Sequence, residues 1–243
     1  MESYTPRPNL LSGRTVLITG AVDGIGAAVA SACARHGAAV VLSDKLQRDL
    51  EPLYDAIESA GATRPAILPL DLEAADEQLC AAAAEVIRGE YGRLDGLAHC
   101  AAFAPFLSRI DDYDASEWER VLRINLTAPF LLTQACLPLL RESPDASIVF
   151  TSDRVGRKGL AYWGAFSAAK FGIEGLMQTL AEELGDGGRL RANSLDPGIV
   201  RTGLRARLYP GEDPNDLAPP ETIASRYLYL LGPDAKGVNG KAL

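Results

Sequence analysis

Short apolar runs alternate with longer stretches of helical period along most of this chain. Six of the runs predict strands: Thr15–Thr19, Ala39–Ser43, Ala66–Leu70, Gly96–Ala101, Ser147–Thr151 and Leu190–Leu195. Between them, Gly24–His36, Leu46–Ala60, Glu73–Tyr91, Ser116–Leu140 and Tyr162–Leu184 carry alanine and leucine at spacings near one helical turn, which predicts helices. Strands that are apolar throughout are covered on both faces, and their alternation with helices is the pattern of a doubly wound α/β fold with a parallel sheet. We expect one domain over residues 1–243, with six or seven strands.

After the sixth run the pattern breaks. Pro210, Gly211, Pro214, Pro219 and Pro220 forbid one continuous helix, so this stretch is expected to be a loop holding a short helix. Ligands of open α/β sheets lie outside the carboxyl ends of the strands, which makes residues 202–220 a candidate substrate lid. Gly237–Leu243 is the source of any seventh strand.

Charge and cysteine usage narrow the partners. The formal net charge of −8 opposes binding to nucleic acid or an anionic membrane. Cys33, Cys80, Cys100 and Cys136 lie far apart with no C-x-x-C pair, so neither a disulfide framework nor a metal site is expected. No apolar leader and no long apolar span interrupt the chain, and the expected location is the cytoplasm.

The chemistry concentrates after the first strand. Thr19, Gly20, Asp23, Gly24, Ile25 and Gly26 form a glycine-rich turn that opens the first helix. Glycines there permit a tight turn and a close backbone approach, and the helix N-terminus offers unpaired N–H groups to a pyrophosphate. In this strand, turn and helix setting the motif points to a Rossmann-type dinucleotide site. Asp44 ends the second strand, where a carboxylate takes the adenosine ribose hydroxyls and repels a 2′-phosphate. With no arginine or lysine in the glycine turn, NAD(H) is favoured over NADP(H), Lys45 being the dissenting residue. Alternatively, Asp44 caps the helix that follows it.

These motifs, together with Asp71-Leu72, Asn125 in RINLTAPF, IVFTSDRVGRKG, WGAFSAAKFG and Pro197-Gly198 with Thr202, resemble the short-chain dehydrogenase/reductase family, YciK-like bacterial oxidoreductases above all. The resemblance implies adenine contacts from Asp71 and Leu72, and a nicotinamide carboxamide held by Pro197, Gly198 and Thr202. It also implies a catalytic lysine at Lys170 and a further catalytic position at Asn125. The family's tyrosine and serine positions fall on Phe166 and Asp153. A phenyl ring has no proton to give, and an ionised carboxylate repels a developing alkoxide. Ser152 faces the other way on an extended chain, and Tyr162, one turn before Phe166, is a weaker substitute. Where the family has an Asn-Asn-Ala-Gly turn this chain has His99-Cys100-Ala101-Ala102, and core packing is the expected role of the first two.

Three functions fit these residues. One is hydride transfer with an altered proton route through Asp153 or Tyr162, on an unknown small-molecule substrate. Another is a catalytically silent dinucleotide-binding sensor or scaffold, in which Lys170 persists as a ribose ligand. A third is a non-redox reaction on the same fold. Arg201, Arg205 and Arg207 hint at an anionic substrate, and solubility explains them equally well. The apolar second faces of helices Ser116–Leu140 and Tyr162–Leu184 suit a homodimer or homotetramer, as the resemblance implies.

Overall fold

The computed structural model describes residues 4–185 and 188–243. In chain order its elements are β1 (Thr15–Thr19), α1 (Gly24–Arg35), β2 (Ala39–Asp44), α2 (Gln47–Ser59), β3 (Ala66–Pro69), α3 (Glu77–Tyr91), β4 (Gly96–His99), α4 (Ala115–Leu122), α5 (Ala128–Glu142), β5 (Ala146–Thr151), α6 (Gly164–Leu184), β6 (Leu190–Leu195), α7 (Gly203–Leu208) and α8 (Ala224–Leu231). The six strands form one parallel sheet in the order β3-β2-β1-β4-β5-β6. Strand order reverses between β1 and β4, and that reversal opens a crevice at the carboxyl edge.

Successive strand residues serve opposite cores. Val16, Ile18, Val40 and Leu42 pack with α1 and α8, while Leu17, Val41, Leu97 and Phe150 pack with α3, α5 and α6. This two-sided burial explains why the strands are apolar throughout. A smaller cluster of Ala104, Val121, Val155, Trp163, Phe166 and Leu208 sits beyond the strand ends.

The expected elements shift where local hydrogen bonds compete. β4 stops at His99 rather than Ala101, because the Ala101 N–H donates to Thr19 Oγ1 at 3.3 Å instead of extending the ladder. α3 begins at Glu77 rather than Glu73: Asp71 accepts from the Glu73 N–H in a preceding turn, and Asp76 caps the helix through the Leu79 N–H. The long helix expected over Ser116–Leu140 is interrupted by a π turn, Arg123–Thr127, which separates α4 from α5. α6 starts at Gly164 because Tyr162 has φ of +74°, outside helical geometry. α8 lies beyond the reach of the sequence reading, and its Tyr227, Leu228, Leu230 and Leu231 are fully buried.

The proline-rich stretch holds the short helix α7 and a 3-10 turn at Pro214–Asp216. The last residues lie beside β6 through a single bridge, Ser194 to Ala242, rather than a full strand. The Ser194 N–H donates to the Lys241 carbonyl and the Leu243 N–H to the Ser194 carbonyl, both at 3.0 Å. Among the described residues no helix is long and apolar enough to cross a membrane.

Candidate active site

At the carboxyl edge, β1, β2 and β4 end around a cleft of about 310 Å³. Thr19, Gly20, Asp23, Gly24, Ile25, Gly26, Asp44, Asp71, Leu72 and Thr202 all line it, so the structure brings together residues spread over most of the chain. The glycine turn is compact for steric reasons. A Cβ on Gly26 would stand 1.9 Å from the Gly20 carbonyl oxygen, and one on Gly20 would stand 2.6 Å from Ala101 Cα. With no side chains in the way, the first N–H groups of α1 face the cleft. Asp44 does not cap α2, whose N-cap is Leu46; its carboxylate accepts from the Lys45 N–H at 2.7 Å and the Val22 N–H at 3.4 Å. Lys45 turns away from it, with Nζ 2.9 Å from Asp71 and 3.7 Å from Glu73.

A second pocket of about 100 Å³ continues past β5 and β6 and shares Ile25, Cys100, Ala102, Thr202 and Leu204 with the first. Asp153, Phe166, Lys170, Pro197 and Gly198 line it. Lys170 is buried and donates from Nζ to the Thr151 carbonyl at 2.7 Å. Burial holds its pKa down at about 8, against the opposing pull of Asp153. Nζ also lies 5.3 Å from the Phe166 ring centroid. Asp153 accepts from the Val155 N–H at 2.9 Å, and burial raises its carboxyl above the usual range. Among the described residues Asp153 and Lys170 form no direct ion pair, and Asp153 acts on the ammonium only at longer range.

Two expected residues lie elsewhere. The side chain of Tyr162 is 56 % exposed and lines neither pocket, because its left-handed backbone turns the ring outward while its carbonyl accepts from the Ser108 N–H. Asn125 is buried in the π turn, where its amide donates to the Phe103 and Val121 carbonyls and accepts from the Phe103 N–H. Ser152 turns its hydroxyl onto Glu174 at 2.5 Å, as strand alternation requires. His99 is buried, stacked on Phe150 and hydrogen-bonded to Thr133, and burial lowers its pKa to about 3. Burial likewise pushes the Cys100 thiol up to about 12, and all four cysteines are free and buried.

The family model described as short chain dehydrogenase matches residues 14–213. The chain belongs to the short-chain dehydrogenase/reductase family. It is 40 % identical over 237 residues to the uncharacterized oxidoreductase YciK of Escherichia coli K12, covering 98 % of this chain and 93 % of that one. Its structure superposes on a short-chain dehydrogenase from Pseudomonas syringae with a TM-score of 0.97 at 48 % identity, covering 99 % of this chain and 98 % of the other. A short-chain dehydrogenase from Shigella flexneri 2a strain 301, described as complexed with NADP, gives 0.93 at 40 % identity, covering 97 % and 98 %.

Within this member of the dehydrogenase family, several wall residues escape sequence reasoning. Ser43 lines the first cleft with a buried hydroxyl that has no partner among the described residues. A polar residue at the end of an otherwise apolar strand was the available signal. Asp196 enters the second pocket from an Asp-Pro-Gly turn after β6, where its carboxylate accepts from the Gly198 N–H at 2.8 Å. Trp163 both packs in the outer cluster and lines the pocket. Arg205, the hint of an anionic substrate, is instead clamped by Glu212 at 2.6 and 2.8 Å and lies over the Tyr209 ring.

Proposed function

We propose that this chain is a nicotinamide-dinucleotide-dependent oxidoreductase that favours NAD(H) over NADP(H) and receives its substrate against Asp153, Phe166 and Lys170. The continuity of the glycine-lined cleft with the Lys170 pocket carries this reading. A dinucleotide needs both compartments, joined at a helix N-terminus. The cradle that a Cβ at Gly20 or Gly26 would fill, and the orphaned Ser43 hydroxyl, are what such a ligand would occupy.

When bound, the nicotinamide ring supplies or accepts a hydride. The N–H groups at the start of α1 hold the diphosphate, Asp44 takes the adenosine ribose hydroxyls, and Asp71 with Leu72 borders the adenine. Lys170 holds the second ribose; Pro197, Gly198 and Thr202 orient the carboxamide. Asp44 supports NAD(H), since its carboxylate would repel a 2′-phosphate and Lys45 is already held by Asp71 and Glu73. The NADP of the Shigella structure belongs to that protein.

Phe166 offers no proton, and losing a positioned acid or base forfeits roughly 10²- to 10⁴-fold in rate, so ordinary alcohol redox is slow here. The same residue supports a second reading, a silent dinucleotide-binding protein. Calorimetry with NAD, NADH and NADP tests the common premise: tighter binding of NAD(H) is expected, tighter NADP reverses the preference, and no binding of any overturns both readings. Tight NADH binding by the parent with no turnover on any alcohol supports the silent reading, and the double variant Asp153→Ser, Phe166→Tyr tests whether only the proton path is missing. Alcohol oxidation about 10²-fold or more above the parent is expected. A double variant that binds NADH yet stays inert shows that more than the proton path is missing.

A further inference from the structure

We propose, resting on the dinucleotide reading above, that the second pocket serves an amine/iminium pair rather than an alcohol/carbonyl pair. Reducing a carbonyl creates an alkoxide, which requires a proton donor and hydrogen bonds to the nascent oxygen. The hydroxyls of the strand end are committed elsewhere: Thr151 pairs with Tyr227 at 2.8 Å and Ser152 donates to Glu174. Lys170 donates one N–H to a backbone carbonyl and, on the dinucleotide reading, turns its others toward the cofactor ribose. What the walls offer is the complement of a cation. Asp153 and Asp196 each engage a backbone N–H with one carboxylate oxygen, and the other oxygen has no partner among the described residues. Trp163 and Phe166 add aromatic faces, with ring centroids 5.5 Å apart. Carboxylates and ring faces both attract a planar cation and weaken the case for a developing oxyanion.

The lining cations do not cancel this arrangement. Arg205 is neutralised by Glu212 and Arg154 is exposed at the rim, while the Lys170 ammonium keeps its charge and is outnumbered by the two carboxylates of Asp153 and Asp196. An iminium carbon needs no protonation to accept a hydride. In the reducing direction a hydride leaves the reduced nicotinamide and forms a C–H bond at the iminium carbon. The C=N π pair becomes the nitrogen lone pair, and the products are a neutral amine and the oxidised nicotinamide. No proton moves in that step, so Phe166 costs the reaction nothing, and Asp153 stabilises the charge that the substrate brings.

Three probes of one shape read the pocket without catalysis: benzamidinium, a planar cation, benzamide, its neutral counterpart, and benzoate. With the protein saturated by NADH, calorimetry is expected to give benzamidinium binding about tenfold tighter than benzamide, with benzoate weakest. Asp153→Asn is expected to erase that difference. Equal affinities, or benzoate the tightest as an Arg154 anion site would give, overturn the proposal. In turnover, NADH is expected to reduce 2-methyl-1-pyrroline about 10²-fold faster than cyclopentanone, and the reverse order overturns it. Failure of NADH itself to bind removes the dinucleotide reading and this proposal together, whereas NADH binding without cation preference removes this proposal alone.

Discussion

Gly26 is the residue on which the cleft depends most directly. Its missing Cβ would meet a carbonyl oxygen of the same turn at 1.9 Å, and backbone cannot yield as a flexible side chain does. Gly26→Ala is therefore expected to lower stability by roughly 1–3 kcal/mol and to weaken NADH binding, measured by urea unfolding and calorimetry. An alanine variant that binds NADH like the parent would contradict the close-approach argument. His99 makes a prediction of a different kind. Its folded pKa near 3 lies below the ordinary 6.5, so the unfolded chain takes up a proton that the folded chain refuses. Stability from this residue is complete above pH 6.5 and falls by about 1.4 kcal/mol per pH unit as pH drops toward 3. In urea titrations between pH 6 and pH 4.5, His99→Gln should flatten that slope by about one proton. At this scale the glycine turn and Asp44 were legible from spacing, and Lys170 from the family resemblance. The positions of Asn125 and Tyr162 were not, because a hydrogen bond to a distant loop and a left-handed backbone angle leave no periodic trace.

The π turn between α4 and α5 ties two elements that sequence treats as one. Its extra residue lets Asn125 reach the loop after β4, which borders the cleft, and bond both polar groups of Phe103. Asn125→Ala would strand these buried groups at a cost of about 1–3 kcal/mol each. We expect a matching drop in unfolding free energy and faster amide exchange at Phe103; an unchanged Phe103 would show that the loop is held by other contacts. The strands were legible to within two residues because both their faces are buried. α8 was not, since its apolar residues follow a proline-rich stretch that resembles loop. The start of α3 shifted because Asp71 and Asp76 each accepted a backbone N–H and delayed the first turn.

For the whole molecule, topology decides where function sits. The strand-order reversal, not any single motif, places residues from the first and last thirds of the chain in one crevice. Sequence periodicity announced that sheet, while the pocket's charge pattern emerged only once β5, β6 and α6 were side by side. On the outer surface, Phe130 on α5 and Phe171 on α6 remain 43 % and 47 % exposed, which supports the expected homo-oligomer as a proposal for ultracentrifugation.

The residues beside β6 have a bearing on behaviour in concentrated solution. An unprotected outer strand is a template on which another chain can add, and residues 240–243 occupy part of that template through bonds to Ala192, Ser194 and Asp196. Deleting these four residues should leave the buried layers in place yet expose a row of vacant donors and acceptors. Light scattering that grows with concentration in the shortened protein, and not in the parent, would mark residues 240–243 as a guard against self-association.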